Sequence, residues 1–159
     1  MARIYHIEDE LVISDSCLCF LKPGSTVLEF GSATGYATRY MKENLGCHVT
    51  CIEKIPEMVE AGRAIADKMI QADVETDSWE NELDQLFDFI MFADILEHLR
   101  NPSAVVARAK AFLKPDGRIL TSIPNIAHNA IIMSLRSGKF KYTETGLLDN
   151  THIHFMTRS

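Results

Sequence analysis

The stretch of sequence that decides the fold is VLEFGSATG, residues 27–35. A mostly apolar run suited to a buried strand leads into a loop of small residues, and a segment of helical character follows. Gly31 can adopt a positive φ and lets a ligand approach the backbone closely, while Ser32, Ala33 and Gly35 add little side-chain bulk. The N–H groups at the start of the following helix point toward this loop. The stretch therefore predicts a strand–loop–helix unit that binds a ligand at the end of the strand.

Similar apolar runs, each bounded by turn residues, recur along the rest of the chain. We predict strands over residues 26–30, 48–52, 87–92 and 118–123, with a weaker one over residues 68–72. Helical segments alternate with them over residues 7–21, 34–45, 56–67, 103–113 and 127–136. This alternation predicts an α/β fold, a Rossmann-like open parallel sheet with helices on both faces. Such sheets bind ligands at the carboxyl ends of their strands, near the point where the strand order reverses.

An acidic residue, Glu53, follows the second predicted strand, 22 residues after Gly31. In a βαβ unit, a carboxylate about 20 residues after the glycines reaches the ribose hydroxyls of a bound nucleoside. It can accept both hydroxyl protons. A dinucleotide fingerprint would require glycine at the positions of Ala33 and Tyr36, so a dinucleotide-binding oxidoreductase is the less favoured alternative.

Counted as Gly-x-Ala-x-Gly with Glu29 two residues ahead, the loop resembles the first motif of class I S-adenosylmethionine-dependent methyltransferases, in which the middle position is glycine. Further resemblance in residues 71–75, 87–99 and 113–118 extends the match over residues 25–125. The tail, residues 122–129 and 142–155, resembles bacterial methyltransferases linked to cell-surface glycan synthesis. The resemblance implies that S-adenosylmethionine is held by Glu29, Gly31, Ser32, Ala33, Gly35, Glu53, Lys54, Asp73, Asp94 and Ile95.

The activity implied by the resemblance is methyl transfer to a small-molecule or glycan-intermediate acceptor, and we expect the acceptor atom to be oxygen. A hydroxyl acceptor must lose its proton, so a base or a metal is needed. We predict that His98, His128 and His152 are the catalytic residues, and we predict no metal site. A metal held by His152, His154 and Asp149 is the alternative.

A different class of function is a methyltransferase-like module that binds cofactor or a partner without turnover. The two hypotheses differ in the placement of residues 126–159. Turnover is favoured if this segment lies at the cofactor end of the sheet, and binding alone is favoured if it folds away.

Composition narrows the class of protein and of partner. The chain has 159 residues, 47% of them hydrophobic, and a net charge of −6, which is typical of a globular domain and unfavourable for non-specific nucleic-acid binding. No run of about 18 apolar residues predicts a membrane span, and residues 1–10 lack a secretion signal. The four cysteines lack zinc-ribbon spacing, so we predict reduced thiols in a cytoplasmic protein.

The length suits a single methyltransferase-like domain. We expect an N-terminal helix within residues 1–24, a cofactor-binding core over residues 25–125 and a substrate-side helix and loop over residues 126–159. The family's sheet has seven strands. We predict five here, in the order 3-2-1-4-5, with the last two missing. The fifth strand would then be an exposed edge, covered by the tail or by a second copy of the chain in a homodimer.

Overall fold

The computed structural model describes residues 17–157. The strands are β1 (Thr26–Phe30), β2 (His48–Glu53), β3 (Lys68–Gln71), β4 (Phe87–Ala93) and β5 (Leu113–Ser122). The helices are α1 (Tyr36–Glu43), α2 (Pro56–Gly62), α3 (Pro102–Lys110) and α4 (Asn129–Arg136), with 3₁₀ turns at Trp79–Glu82 and Leu96–His98. Within the predicted helix over residues 7–21, residues 7–16 lie outside the described residues.

The five strands form one sheet in the order β3-β2-β1-β4-β5, and every neighbouring pair is parallel. The predicted fold class and strand order are confirmed. The order reverses between β1 and β4, because the chain crosses from one side of β1 to the other after β3. All five carboxyl ends therefore lie along one edge of the sheet, which we call the carboxyl edge.

Side chains of β1 alternate between two buried layers, as the pleat of a strand requires. Leu28 and Phe30 belong to one layer, in which the Phe30 ring stacks on Phe92 with centroids 4.5 Å apart. Val27 belongs to the other layer, against Met41 of α1. Burial on both faces explains why these strands are short apolar runs in the sequence.

Two elements differ from their predicted bounds by five residues at one end, each for a local reason. β5 begins at Leu113, which pairs with Phe87, and the pairing resumes only at Arg118 after residues 114–117 bulge out. The sequence predicts a later start for this strand because residues 115–117, Pro-Asp-Gly, are typical of a turn. α2 ends at Gly62, where a Cβ would lie only 2.0 Å from Cε of Met69. Glycine also weakens a helix at this point.

The segment after β5 returns to the carboxyl edge. Ile126 N–H donates to the carbonyl of Met156, and the N–H groups of Ile153 and His154 both donate to the carbonyl of Glu97. α4 contains no buried residue. None of the helices described is both long enough and apolar enough to cross a bilayer. β5 is one of the two edge strands of the described sheet, and its covering by the tail or by a second copy stays a prediction.

Arg108 of α3 braces the loop that follows β3. Its guanidinium donates to both oxygens of Glu80, to the carbonyl of Val74 at 2.8 Å and to that of Asp77 at 2.6 Å. It also lies over the ring of Trp79, 4.8 Å from the centroid. A planar guanidinium can serve all these acceptors together, whereas an ammonium cannot.

We expect Arg108→Ala to lower the free energy of unfolding by about 2 kcal/mol, because several charge-assisted hydrogen bonds and one ring contact are lost together. Arg108→Lys should recover less than half of this loss. Urea denaturation measures both. The matched control is Arg39→Ala, since Arg39 forms an exposed i,i+4 pair with Glu43, and it should change stability by at most about 0.5 kcal/mol. Equal effects of Arg108→Ala and Arg39→Ala would contradict the bracing role.

Candidate functional site

The glycine loop after β1 is held in a conformation that needs small residues. Gly31 has φ +71° and Gly35 has φ +76°, and Ala33 adopts a positive φ of 44°. The N–H of Gly31 donates to the carbonyl of Ile52 at 2.9 Å. A Cβ on Gly31 would lie 2.9 Å from Cδ1 of Ile95, so the loop and the turn after β4 are in close contact. Glycine is therefore needed at position 31, because its φ is positive and the side chain of Ile95 fills the space that a Cβ would occupy.

Glu53, at the end of β2, is fixed against this loop. Its Oε2 accepts the N–H of Ala33 at 3.1 Å, and its Oε1 accepts the N–H groups of Lys54 and Ile55 at 2.8 and 2.9 Å. The side chain is buried. The sequence predicted only a contact with ribose hydroxyls. In the structure, Glu53 also connects the ends of β1 and β2. Oε2 keeps one acceptor position, since a carboxylate oxygen has two lone pairs.

Lys54 and Asp73, both predicted to contact the cofactor, are paired with each other. Lys54 Nζ donates to Oδ2 of Asp73 at 2.7 Å, and Oδ1 of Asp73 accepts the N–H of Glu75 at 3.0 Å. The hydrogen bond from Lys54 holds the pKa of Asp73 below its usual value. Next to this pair, the N–H of Ala72 donates to the carbonyl of Glu53, so the ends of β2 and β3 are joined.

Glu29 lies beneath the loop and points at α1. Its Oε2 accepts the hydroxyl of Thr38 at 2.6 Å and the thiol of Cys51 at 3.4 Å. Burial raises the pKa of Glu29 to about 6. Ser32 of the loop is also buried. Glu29 therefore connects the end of β1 to α1 and β2, and its contact with the cofactor stays a prediction.

Asp94 and Ile95 bring the end of β4 into the same region. Asp94 has φ +50°, its N–H donates to the carbonyl of Ser122, and the Ser122 hydroxyl donates to its Oδ1 at 3.1 Å. Burial raises the pKa of Asp94, and the nearby His152 opposes that rise. Contacts thus run without a break along the carboxyl edge from β3 to β5.

Two of the three predicted catalytic histidines meet beside Asp94. The rings of His98 and His152 have centroids 4.7 Å apart, and Nε2 of His152 lies 3.9 Å from Oε1 of Glu97. Burial raises the pKa of Glu97 to about 7, and the carboxylates of Asp94 and Asp149 add to the rise. We call Glu97, His98 and His152 the histidine–glutamate cluster.

His128, the third predicted catalytic histidine, is not part of this cluster. It stands before α4 as the N-cap, and its Nδ1 accepts the N–H of Ala130 at 3.3 Å. Its catalytic role stays a prediction. Glu97, by contrast, was not singled out from the sequence, although a glutamate between Leu96 and His98 directly after a predicted strand is a usable signal.

Comparisons with known sequences agree with this geometry. A family model described as "Methyltransferase domain" matches residues 8–159. The ubiquinone biosynthesis O-methyltransferase of Xylella fastidiosa (strain M23) is 29% identical over 121 residues, covering 74% of this chain and 49% of the relative. The enzyme of the same name from Xanthomonas campestris pv. campestris (strain B100) is 29% identical over 122 residues, covering 74% and 51%. The chain spans about half the length of these curated relatives.

Solved structures show the same fold. The plantazolicin methyltransferase BpumL in complex with SAH superposes with a TM-score of 0.63 at 20% identity, covering 90% of this chain and 54% of that chain. The DhpI–SAM–HEP complex superposes with a TM-score of 0.60 at 22% identity, covering 86% and 64%. Since the family model spans nearly the whole chain, the resemblance to class I S-adenosylmethionine-dependent methyltransferases is confirmed, and the finer resemblance of the tail stays a prediction. The chain belongs to the methyltransferase domain family.

Proposed function

We propose that the protein transfers the methyl group of S-adenosylmethionine to a hydroxyl oxygen of a small-molecule or glycan acceptor. The observation that carries the proposal is the carboxylate of Glu53, which is fixed against the glycine loop at the point where the strand order reverses. Membership of the methyltransferase family supports the reaction, and the names of the O-methyltransferase relatives support oxygen as the acceptor atom.

The residues at the carboxyl edge fit the nucleoside part of this cofactor. Gly31 and Gly35 hold the loop at positive φ, where a side chain would be strained and would collide with Ile95 or Ile65. The remaining acceptor position on Glu53 Oε2 suits a ribose hydroxyl. Asp73, held by Lys54, suits a polar contact to the adenine. Ser32, Ala33, Asp94 and Ile95 complete the proposed binding surface.

Bound at this edge, S-adenosylmethionine supplies an activated methyl group, and the protein supplies position and electrostatics. Glu29 serves as a positioning residue, because its carboxylate meets Thr38 and Cys51 beneath the loop. The histidine–glutamate cluster lies on the acceptor side, where it would assist loss of the acceptor's proton.

The return of the C-terminal segment favours turnover over simple binding. Ile153 and His154 donate their N–H groups to Glu97, so the segment meets the carboxyl edge instead of folding away from it. Binding of S-adenosylhomocysteine without any methyl transfer would support the module that binds without turnover.

Calorimetry with S-adenosylhomocysteine tests the proposed function directly. We expect wild-type protein to bind it and Glu53→Ala to bind about 100-fold more weakly, because one charge-assisted hydrogen bond to the ribose is lost together with the support that Glu53 gives the loop. Glu53→Gln should lose less than Glu53→Ala, since its amide oxygen can still accept one hydrogen bond.

The matched control is Glu57→Ala, which removes the same charge from an exposed position in the first turn of α2. It should leave the affinity unchanged. Absence of binding by the wild-type protein would overturn the proposed function. Wild-type affinity in Glu53→Ala would overturn only the role given to Glu53.

The buried carboxylate of Glu29 predicts a distinct pH dependence of stability. Its pKa is about 6 in the folded state and 4.5 ordinarily, so its favourable contribution is present below 4.5 and is lost as pH rises through 6. Glu29→Gln does not titrate. The free energy of unfolding of this variant relative to wild type should therefore rise by about 2 kcal/mol between about pH 4 and about pH 8. Urea denaturation at each pH measures the difference, and a constant difference would contradict the raised pKa.

A further inference from the structure

The buried carboxylate of Glu97 has no hydrogen-bond partner for either side-chain oxygen among the described residues. Its side chain is 1% exposed, in the 3₁₀ turn that follows β4. A buried carboxylate without hydrogen bonds is costly, and such groups are normally paired with a cation or coordinate a metal ion. The position of Glu97 therefore points to a positively charged ligand.

Two imidazoles converge on this carboxylate. One potential ligand atom from each of Glu97, His98 and His152 lies within 4.8 Å of the other two. The side chain of His152 is 7% exposed, so it is held in place by packing as well as by its own segment. The three ligand atoms come from the turn after β4 and from the C-terminal segment.

Thr151 orients the ring of His98. Nδ1 of His98 lies 3.3 Å from the carbonyl of Thr151 and 3.1 Å from its hydroxyl, which itself donates to Oδ1 of Asp149 at 2.6 Å. A carbonyl has no proton, and this hydroxyl proton is directed at Asp149, so Nδ1 of His98 must be the donor. With the proton of a neutral ring on Nδ1, Nε2 is the nitrogen through which His98 would bind a metal ion. A histidine that binds a metal is typically held through its other ring nitrogen in this way.

The cluster is also set in a negative environment by the elements around it. Asp149 is buried at 3% exposure, and Asp94 lies close enough to both Glu97 and His152 for their charges to interact. The N–H groups of Ile153 and His154 donate to the carbonyl of Glu97, which joins the two segments that carry the ligand atoms. Local carboxylates favour a cation, and this backbone connection keeps the three ligands together.

We propose that Glu97, His98 and His152 bind a divalent first-row transition-metal ion, such as Zn²⁺, at the carboxyl edge. Two imidazoles and one carboxylate suit such ions, whereas Mg²⁺ and Ca²⁺ prefer oxygen ligands alone. Bonds of about 2.0–2.2 Å to a tetrahedral ion would bring the ligand atoms to about 3.4 Å from one another, which requires only small side-chain rotations. This site replaces the sequence-based expectation of no metal, and it uses neither His154 nor Asp149 as a ligand.

Three protein ligands leave a coordination position open for another molecule. On the basis of the proposed function, the hydroxyl oxygen of the acceptor occupies this position. The ion lowers the pKa of that hydroxyl, which releases its proton to solvent. The oxygen then forms its bond to the methyl carbon as the carbon–sulfur bond breaks, and the electron pair of that bond stays on sulfur. The ion changes neither its charge nor its oxidation state.

The experiment measures metal binding and cofactor binding separately on the same protein. Wild-type chain is depleted of metal with a chelator and titrated with Zn²⁺ against a chromophoric competitor. We expect tight binding of a single ion, with X-ray absorption showing nitrogen and oxygen ligands at about 2.0–2.1 Å and no sulfur at about 2.3 Å. A sulfur shell would assign the ion to the cysteines and overturn the site.

Variants test the individual ligands. Glu97→Gln and His152→Asn should each weaken Zn²⁺ binding at least about 100-fold, while His48→Asn, at an exposed position at the start of β2, should leave it unchanged. Thr151→Val should weaken binding about 10-fold, because Nδ1 of His98 loses the hydroxyl and keeps only the carbonyl of residue 151 as acceptor, and Thr151→Ser, which keeps the hydroxyl, should bind like wild type. Zn²⁺ binding that survives both ligand substitutions would overturn the proposal. If a variant fails to fold, the X-ray absorption spectrum of the wild-type protein still tests the proposed ligands.

Calorimetry with S-adenosylhomocysteine on the metal-depleted protein distinguishes the two hypotheses. If S-adenosylhomocysteine binds and Zn²⁺ does not, the metal site is wrong and the proposed function stands. If Zn²⁺ binds at this cluster and S-adenosylhomocysteine does not, the metal site is correct and the ion does not serve methyl transfer.

Discussion

The carboxyl edge depends on one carboxylate, that of Glu53, which accepts three backbone N–H groups from two segments of the chain. One of these donors, Ala33, belongs to a loop whose positive φ angles are unfavourable for most residues. A loop of this kind persists only where its surroundings hold it. Because Glu53 stands at the end of β2 and the loop at the end of β1, sheet pairing and loop conformation support each other.

Three buried glutamates at this edge differ in how completely their charge is satisfied. Glu53 accepts three hydrogen bonds from backbone amides, whereas Glu29 accepts one from a hydroxyl and a longer one from a thiol. Neither oxygen of Glu97 meets a hydrogen-bond donor among the described residues. The pKa of Glu29 is about 6 and that of Glu97 about 7, as expected when burial outweighs partners. Glu53 and Glu29 thus form hydrogen bonds within the fold, whereas the carboxylate of Glu97 is available to a ligand.

The strands, the glycine loop and the position of Glu53 were largely predictable from sequence, because the signals for them are local. β1 to β4 are short apolar runs between turn residues, and Glu53 stands at a spacing set by a single βαβ unit. The start of β5 was missed because Leu113 pairs with Phe87 before the bulge and Arg118 resumes the pairing after it. His98 and His152 were singled out from the sequence, but Glu97 and the meeting of these residues were not, since the two segments are about 50 residues apart, as the contact of His98 with Thr151 at a separation of 53 shows. No periodicity connects positions so distant.

The exposure of α4 has a consequence for how the molecule opens. Since none of its side chains is buried, little apolar burial opposes its local unfolding, whereas β1 and β4 are buried on both faces. Amide hydrogens of α4 should therefore exchange with solvent much faster than those of β1. The protein thus combines a sheet whose central strands are buried on both faces with an exposed helix, α4, whose sequence can change at little cost to folding.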